Sequence, residues 1–166
     1  MILGMSLATF TLIHVVISLI GIASGFLVIF GLIGGSRMDS MTSVFLWTTA
    51  LTSVTGFLFP FERLLPSHIL GILSLVALLL AIPARYLFQL AGPWRSIYVI
   101  GSSVVLYFNF FVLIVQSFEK VPALKALAPT QKEPPFVVAQ LVALLFFAAL
   151  TTFATVRFHP ERVRTA

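Results

Sequence analysis

The chain has 166 residues, of which 60% are hydrophobic and 9% charged, and its mean hydropathy is +1.12. Globular chains average roughly 45–50% and 25%, so a soluble globular domain is excluded, as is disorder, which needs low hydrophobicity and high charge. There is no cysteine, which removes disulfides, thiolate metal sites and thiol nucleophiles. The net charge is +5, but the basic residues are scattered between apolar stretches. They read as loop charges that set membrane topology, not as a nucleic-acid surface.

A membrane-spanning helix needs about 20 apolar residues, because each residue rises about 1.5 Å through about 30 Å of hydrocarbon. Five segments meet this, at residues 2–33, 42–61, 67–90, 94–118 and 136–158. The expected fold is therefore an all-α integral membrane bundle of five transmembrane helices forming one domain. The first segment has no Lys or Arg before Arg37 and a far longer apolar run than a signal peptide. It reads as a retained helix. It carries Gly21-x-x-x-Gly25 and Gly31-x-x-x-Gly35, spacings that let two helix backbones approach. They serve packing within the chain or, alternatively, a homodimer or another membrane protein partner.

The second segment carries hydroxyl stripes, Thr48, Thr52 and Thr55 on one and Thr49 and Ser53, with Gly56, on the next. Such hydroxyls bond back to their own helix or across to a neighbour. Pro60 and Pro66 bracket the following turn, and Pro83 is expected to kink the third segment. Arg85 lies near the end of that segment, where it is expected to snorkel to the interface.

Residues 119–135 form the one long loop, with Pro122, Pro129, Pro134 and Pro135. That proline density disfavours regular helix. One set of connections carries Arg37, Arg85, Arg95, Arg157, Arg162 and Arg164; the other carries Arg63, Lys120, Lys125 and Lys132. The positive-inside rule then puts the C-terminus in the cytoplasm, and the N-terminus and the long loop outside.

The polar residues within or at the edges of the spans are His14, His68, Asn109, Gln116 and Gln140. Counting along the helices places all of them roughly 20–35 Å from the cytoplasmic arginines, in the external half of the membrane. Glu62, Arg63, Glu119 and Lys120 cap the same side. Histidines on two helices are candidate ligands for a haem b iron or another metal, or hydrogen-bond partners for a quinone headgroup. Glu119 and Glu62 would pass protons or complete a cation site. His14 and His68 differ in estimated depth by about 9 Å, which argues against one shared metal. The alternative is that His14 bonds to a neighbouring helix and His68 starts a helix at the wet interface.

No H-E-x-x-H, P-loop, G-x-G-x-x-G or G-x-S-x-G pattern occurs. No acid lies inside a span, which weakens a proton-coupled pump.

Three blocks, LTSVTGFLFPF at 51–61, PSHILGILSL at 66–75 and PALKALAPTQKEPPFVVAQL at 122–141, carry a resemblance. They resemble a group of small, uncharacterised, chiefly proteobacterial inner-membrane proteins, with the APTQKEPPF block the most specific part. The resemblance covers most of the chain. It implies a multi-pass protein of the bacterial inner membrane and no particular activity. It also implies that the segment with Thr130, Gln131, Glu133, Pro134, Pro135 and Gln140 is defined structure, expected to fold down as a lid over the polar cluster. The function expected from all this is a binding or accessory component without chemistry of its own. The alternatives are a redox-linked protein using His14 and His68, a small-solute transporter or channel, and, last, a membrane enzyme.

Overall fold

The computed structural model describes residues 2–60 and 66–159. Six helices follow in chain order: α1 (Leu7–Ile33), α2 (Asp39–Gly56), α3 (Pro66–Tyr86), α4 (Pro93–Lys120), α5 (Pro122–Leu127) and α6 (Pro134–Arg157). Among the described residues, α1, α3, α4 and α6 are long and apolar enough to cross a membrane. The second of the five expected segments is a helix, but it does not reach that apolarity. Its 18 residues include eight serines and threonines and begin at Asp39. Its length of about 27 Å nevertheless runs alongside the others.

The boundaries have local causes. The first helix starts at Leu7, not at residue 2, because Ser6 caps it by accepting from the Thr9 N–H at 3.1 Å. Ile2 and Met5 instead close a tight turn whose central residues, Leu3 and Gly4, have φ of +50° and +77°. α3 stops at Tyr86, four residues before the expected end, and Gln89 and Leu90 both turn to positive φ. Prolines open α4, α5 and α6 at their first helical position. There the missing N–H is one that no helix would use. The expectation that the prolines of 119–135 would keep that loop non-helical is thereby corrected: Pro122 starts α5 and Pro134 starts α6.

The helices pack up and down. α1 and α2 form an antiparallel ladder in which His14 meets Thr55 at 2.8 Å and the Ser18 hydroxyl meets Thr52 at 3.4 Å. Further along, Gly21 lies against Thr48, and Gly25 against Phe45. A Cβ on Gly25 would stand 2.6 Å from Leu106 and 2.8 Å from Phe45, so any larger residue would force these side chains to shift. Gly21 and Gly25 are thus filled by helices of the same chain. The Thr48–Thr52–Thr55 stripe faces α1, while Ser53 and Phe57 face Gly71 of α3. Gly101 of α4 approaches Ala77 and Ala81 of α3 in the same way.

α6 lies against α1 and α4 through a ring cluster of Phe26, Phe110, Tyr107 and Phe147. Phe45, Val28, Ile29, Val105 and Leu106 complete the core. Much of the outward surface of α1, α3 and α6 is large apolar side chains, the surface expected of helices whose solvent is hydrocarbon.

Candidate functional site

The polar residues fall at different helix seams. Near one end of the bundle, His14 on α1 bonds Thr55 through Nδ1 at 2.8 Å and sets its ring edge-on to Phe59. The Thr55 hydroxyl already gives its proton to the Leu51 carbonyl at 2.6 Å. His14 Nδ1 is thereby placed to donate to the Thr55 oxygen. His68, buried on α3, lies against the Phe57 ring at 5.7 Å. The two histidines thus share an end of the bundle, but they pack on different faces of α2.

Asn109 donates to Thr49 at 3.4 Å, tying α4 to α2. Gln140 donates to the Phe111 carbonyl at 3.4 Å, tying α6 to α4, and its Oε1 is buried without a partner. Gln116, although seven residues from Asn109 on the same helix, is exposed. Glu119 is exposed and pairs with Lys120 at 3.4 Å. Glu62 and Arg63 lie outside the described residues. Among the described residues, no group of three or more His, Asp or Glu could hold a metal ion.

The long loop is built structure, and it sits on α4. Gln131 donates to the Val115 carbonyl at 3.0 Å, and Phe118 meets Phe136 edge to face. The Glu133 carboxylate accepts from the Thr130 hydroxyl at 2.8 Å and from the Lys132 N–H at 3.0 Å. Desolvation pushes this carboxyl up. The Thr130 hydroxyl and the backbone N–H groups together push it further down, so it titrates below its usual range. A shallow cleft of about 270 Å³ opens between Phe118, Lys125, Pro129 and Gln131. The loop's hydrogen bonds and ring contact run to α4 and α6, with none among them to His14.

The opposite end holds a constellation that the sequence reading passed over. Arg85 does not snorkel: its side chain is only 2% exposed. Its Nη2 donates to the Arg37 carbonyl at 3.0 Å and pairs with the Asp39 carboxylate. Its guanidinium lies 5.3 Å over the Tyr98 ring. The Thr42 hydroxyl reaches the Arg37 carbonyl at 3.3 Å and the Tyr98 hydroxyl at 3.2 Å. Arg37 Nε stands 3.8 Å from the same Asp39 oxygen. Arg85 Nη1 and Arg37 Nε are buried without hydrogen-bond partners.

The sequence did hold a signal for this cluster. Arg85 falls inside an apolar segment, and Asp39 stands two residues after Arg37. Nearby, Arg95 donates to the carbonyls of Thr155 and Phe158 and so closes the end of α6.

Comparison with protein-family models, with curated proteins and with solved structures gives no match for this chain.

Proposed function

We propose that this chain is a multi-pass protein of a bacterial inner membrane that acts as a binding or accessory component. In this reading α2 is a fifth span, the N-terminus lies outside and the C-terminus in the cytoplasm. The observation that carries it is the use to which the intramembrane polar groups are put. His14, Asn109 and Gln140 each bond across a different helix seam. In hydrocarbon such bonds hold helices together. They do not converge on one point, as a reaction centre would require. The hydroxyls of α2 support the fifth span, because most of them bond carbonyls one turn back or residues of α1 and α4.

The absence of native cysteine makes topology directly testable. Ser36→Cys and Leu58→Cys place single thiols at the two ends of α2, and Thr130→Cys marks the long loop. A membrane-impermeant maleimide on intact cells should label the thiols at 58 and 130 and reach the one at 36 only after permeabilisation. Labelling at 36 and 58 from the same side removes the fifth span. The reverse pattern inverts the orientation. An absorption spectrum of the purified protein, oxidised and dithionite-reduced, tests the accessory role: the expected spectrum contains only Trp and Tyr bands. A Soret band that sharpens on reduction would replace this reading with a redox role for His14 and His68.

A further inference from the structure

We infer that the Arg37–Arg85 cluster is a binding site for a phosphate group, either of an anionic lipid headgroup or of a free phosphate. The inference rests on the membrane reading above. Four observations carry it. Two guanidinium groups converge on a single carboxylate oxygen of Asp39, so the cluster holds one positive charge in excess. Second, Arg85 is buried, yet its Nη1 makes no hydrogen bond, and the Nε atom of Arg37, 3.8 Å from Asp39, is also buried without a hydrogen bond. A buried cation with unsatisfied N–H groups is costly unless an anion completes it. Asp39 meets only part of this demand: one of its oxygens pairs with Arg85 Nη2, and its side chain is 76% exposed to solvent.

Third, the cluster sits at the first turn of α2, an 18-residue helix whose capping residue Met38 offers no side-chain acceptor. The N–H groups of that turn and the positive end of the helix dipole add to the pull on an anion. Fourth, the cluster lies where α1 ends, α3 ends and α4 begins, at the level of a lipid headgroup if these helices cross a bilayer. Basic pockets between helices at that level recognise phosphorylated headgroups. Arginine suits the task because its planar fork presents several N–H groups to the oxygens of one phosphate. Tyr98 beneath Arg85 and the Arg37 carbonyl beside it fix the plane of that fork.

The test uses the full chain purified in a neutral detergent. Its thermal midpoint and its retained lipid, read by native mass spectrometry, are followed during titration with phosphatidylglycerol, phosphatidylcholine or inorganic phosphate. A saturable rise in midpoint and a retained lipid with phosphatidylglycerol, but not with phosphatidylcholine, identifies the headgroup. The same rise with millimolar inorganic phosphate identifies free phosphate.

Arg37→Gln should weaken either effect about fivefold, and Arg37→Lys less so. Arg37 is the residue to vary first, because its side chain is one-third exposed and its loss spares the buried Arg85. Indifference to all three probes, or an unchanged response in Arg37→Gln, overturns the site. Carbonate extraction of the native membranes separates the two levels of failure. A protein that stays in the pellet but shows no selectivity loses only this site. A protein that is released loses the membrane reading as well.

Discussion

The guanidinium of Arg85 stands 5.3 Å above the ring of Tyr98, with the Asp39 carboxylate at its edge. The two ionic partners live in different solvents: Arg85 is buried and Asp39 is mostly exposed. Removing one is therefore not equivalent to removing the other. Asp39→Ala leaves a buried cation short of its counter-charge. It should cost about 2–3 kcal/mol, less than a fully buried pair would lose, because solvent screens the exposed partner. Arg85→Met leaves a carboxylate that water can satisfy, and should cost less than Asp39→Ala. Unfolding of both variants in detergent gives the comparison; a larger loss for Arg85→Met would show the asymmetry to be wrong.

Gly25 provides a second test, of packing. An added methyl there meets Leu106 and Phe45 at 2.6 Å and 2.8 Å, both in the tightest part of the core. Gly25→Ala should destabilise by about 1–3 kcal/mol. Gly21→Ala, whose methyl meets the Thr48 hydroxyl at 3.1 Å, should lose less. Equal effects at the two positions would mean that α1 and α2 are not in this register.

The His14–Thr55 bond makes its own prediction. A double-mutant cycle with His14→Ala and Thr55→Val should return a coupling of about 0.6 kcal/mol, with roughly 1.7 kcal/mol as the ceiling seen for such bonds in membranes. A coupling of zero would mean that the 2.8 Å contact does not exist in the folded protein.

The loop at residues 128–133 should respond to acid. The Glu133 carboxyl is held below its usual value by the Thr130 hydroxyl and the neighbouring N–H groups, against desolvation. A carboxyl depressed in the folded state stabilises the charged form. Its contribution is fully present above the unfolded value of about 4.5 and is lost as pH falls through the lower folded value. Amide exchange at Thr130 and Lys132 should therefore accelerate, after correction for intrinsic rates, as pH drops below about 4.5. Glu133→Gln should show the fast exchange at neutral pH. Gln131→Ala, which frees the loop from Val115, should raise protease cleavage there without any pH dependence. Protection that is flat with pH in the native chain rules out the carboxylate as the staple.

Much of the architecture was legible because hydropathy acts locally. Four apolar runs became helices of membrane length, whereas Pro122 and Pro134, read as disfavouring helix, open helices instead. The glycine spacing of the first segment signalled close approach, and it occurs against Thr48, Phe45 and Leu106. The candidate polar residues were harder to read. Position along a helix does not specify azimuth, so His14 and His68 reached the same end of the bundle on different faces of α2. Gln116 lies seven residues from Asn109 on the same helix, yet it is exposed near the end of α4.

By itself, then, the sequence determined the class of solvent and the helical content. Each of these depends on composition over one stretch of chain. Only the tertiary structure decided which side chains meet. Arg85 could satisfy its charge at a membrane surface or inside the bundle, and the choice required Arg37 and Asp39 from one other segment and Tyr98 from another to be brought to it. The physical reason is that burying a charge is favourable only where counter-charge and acceptors converge, and convergence is a property of the packed helices, not of any one of them.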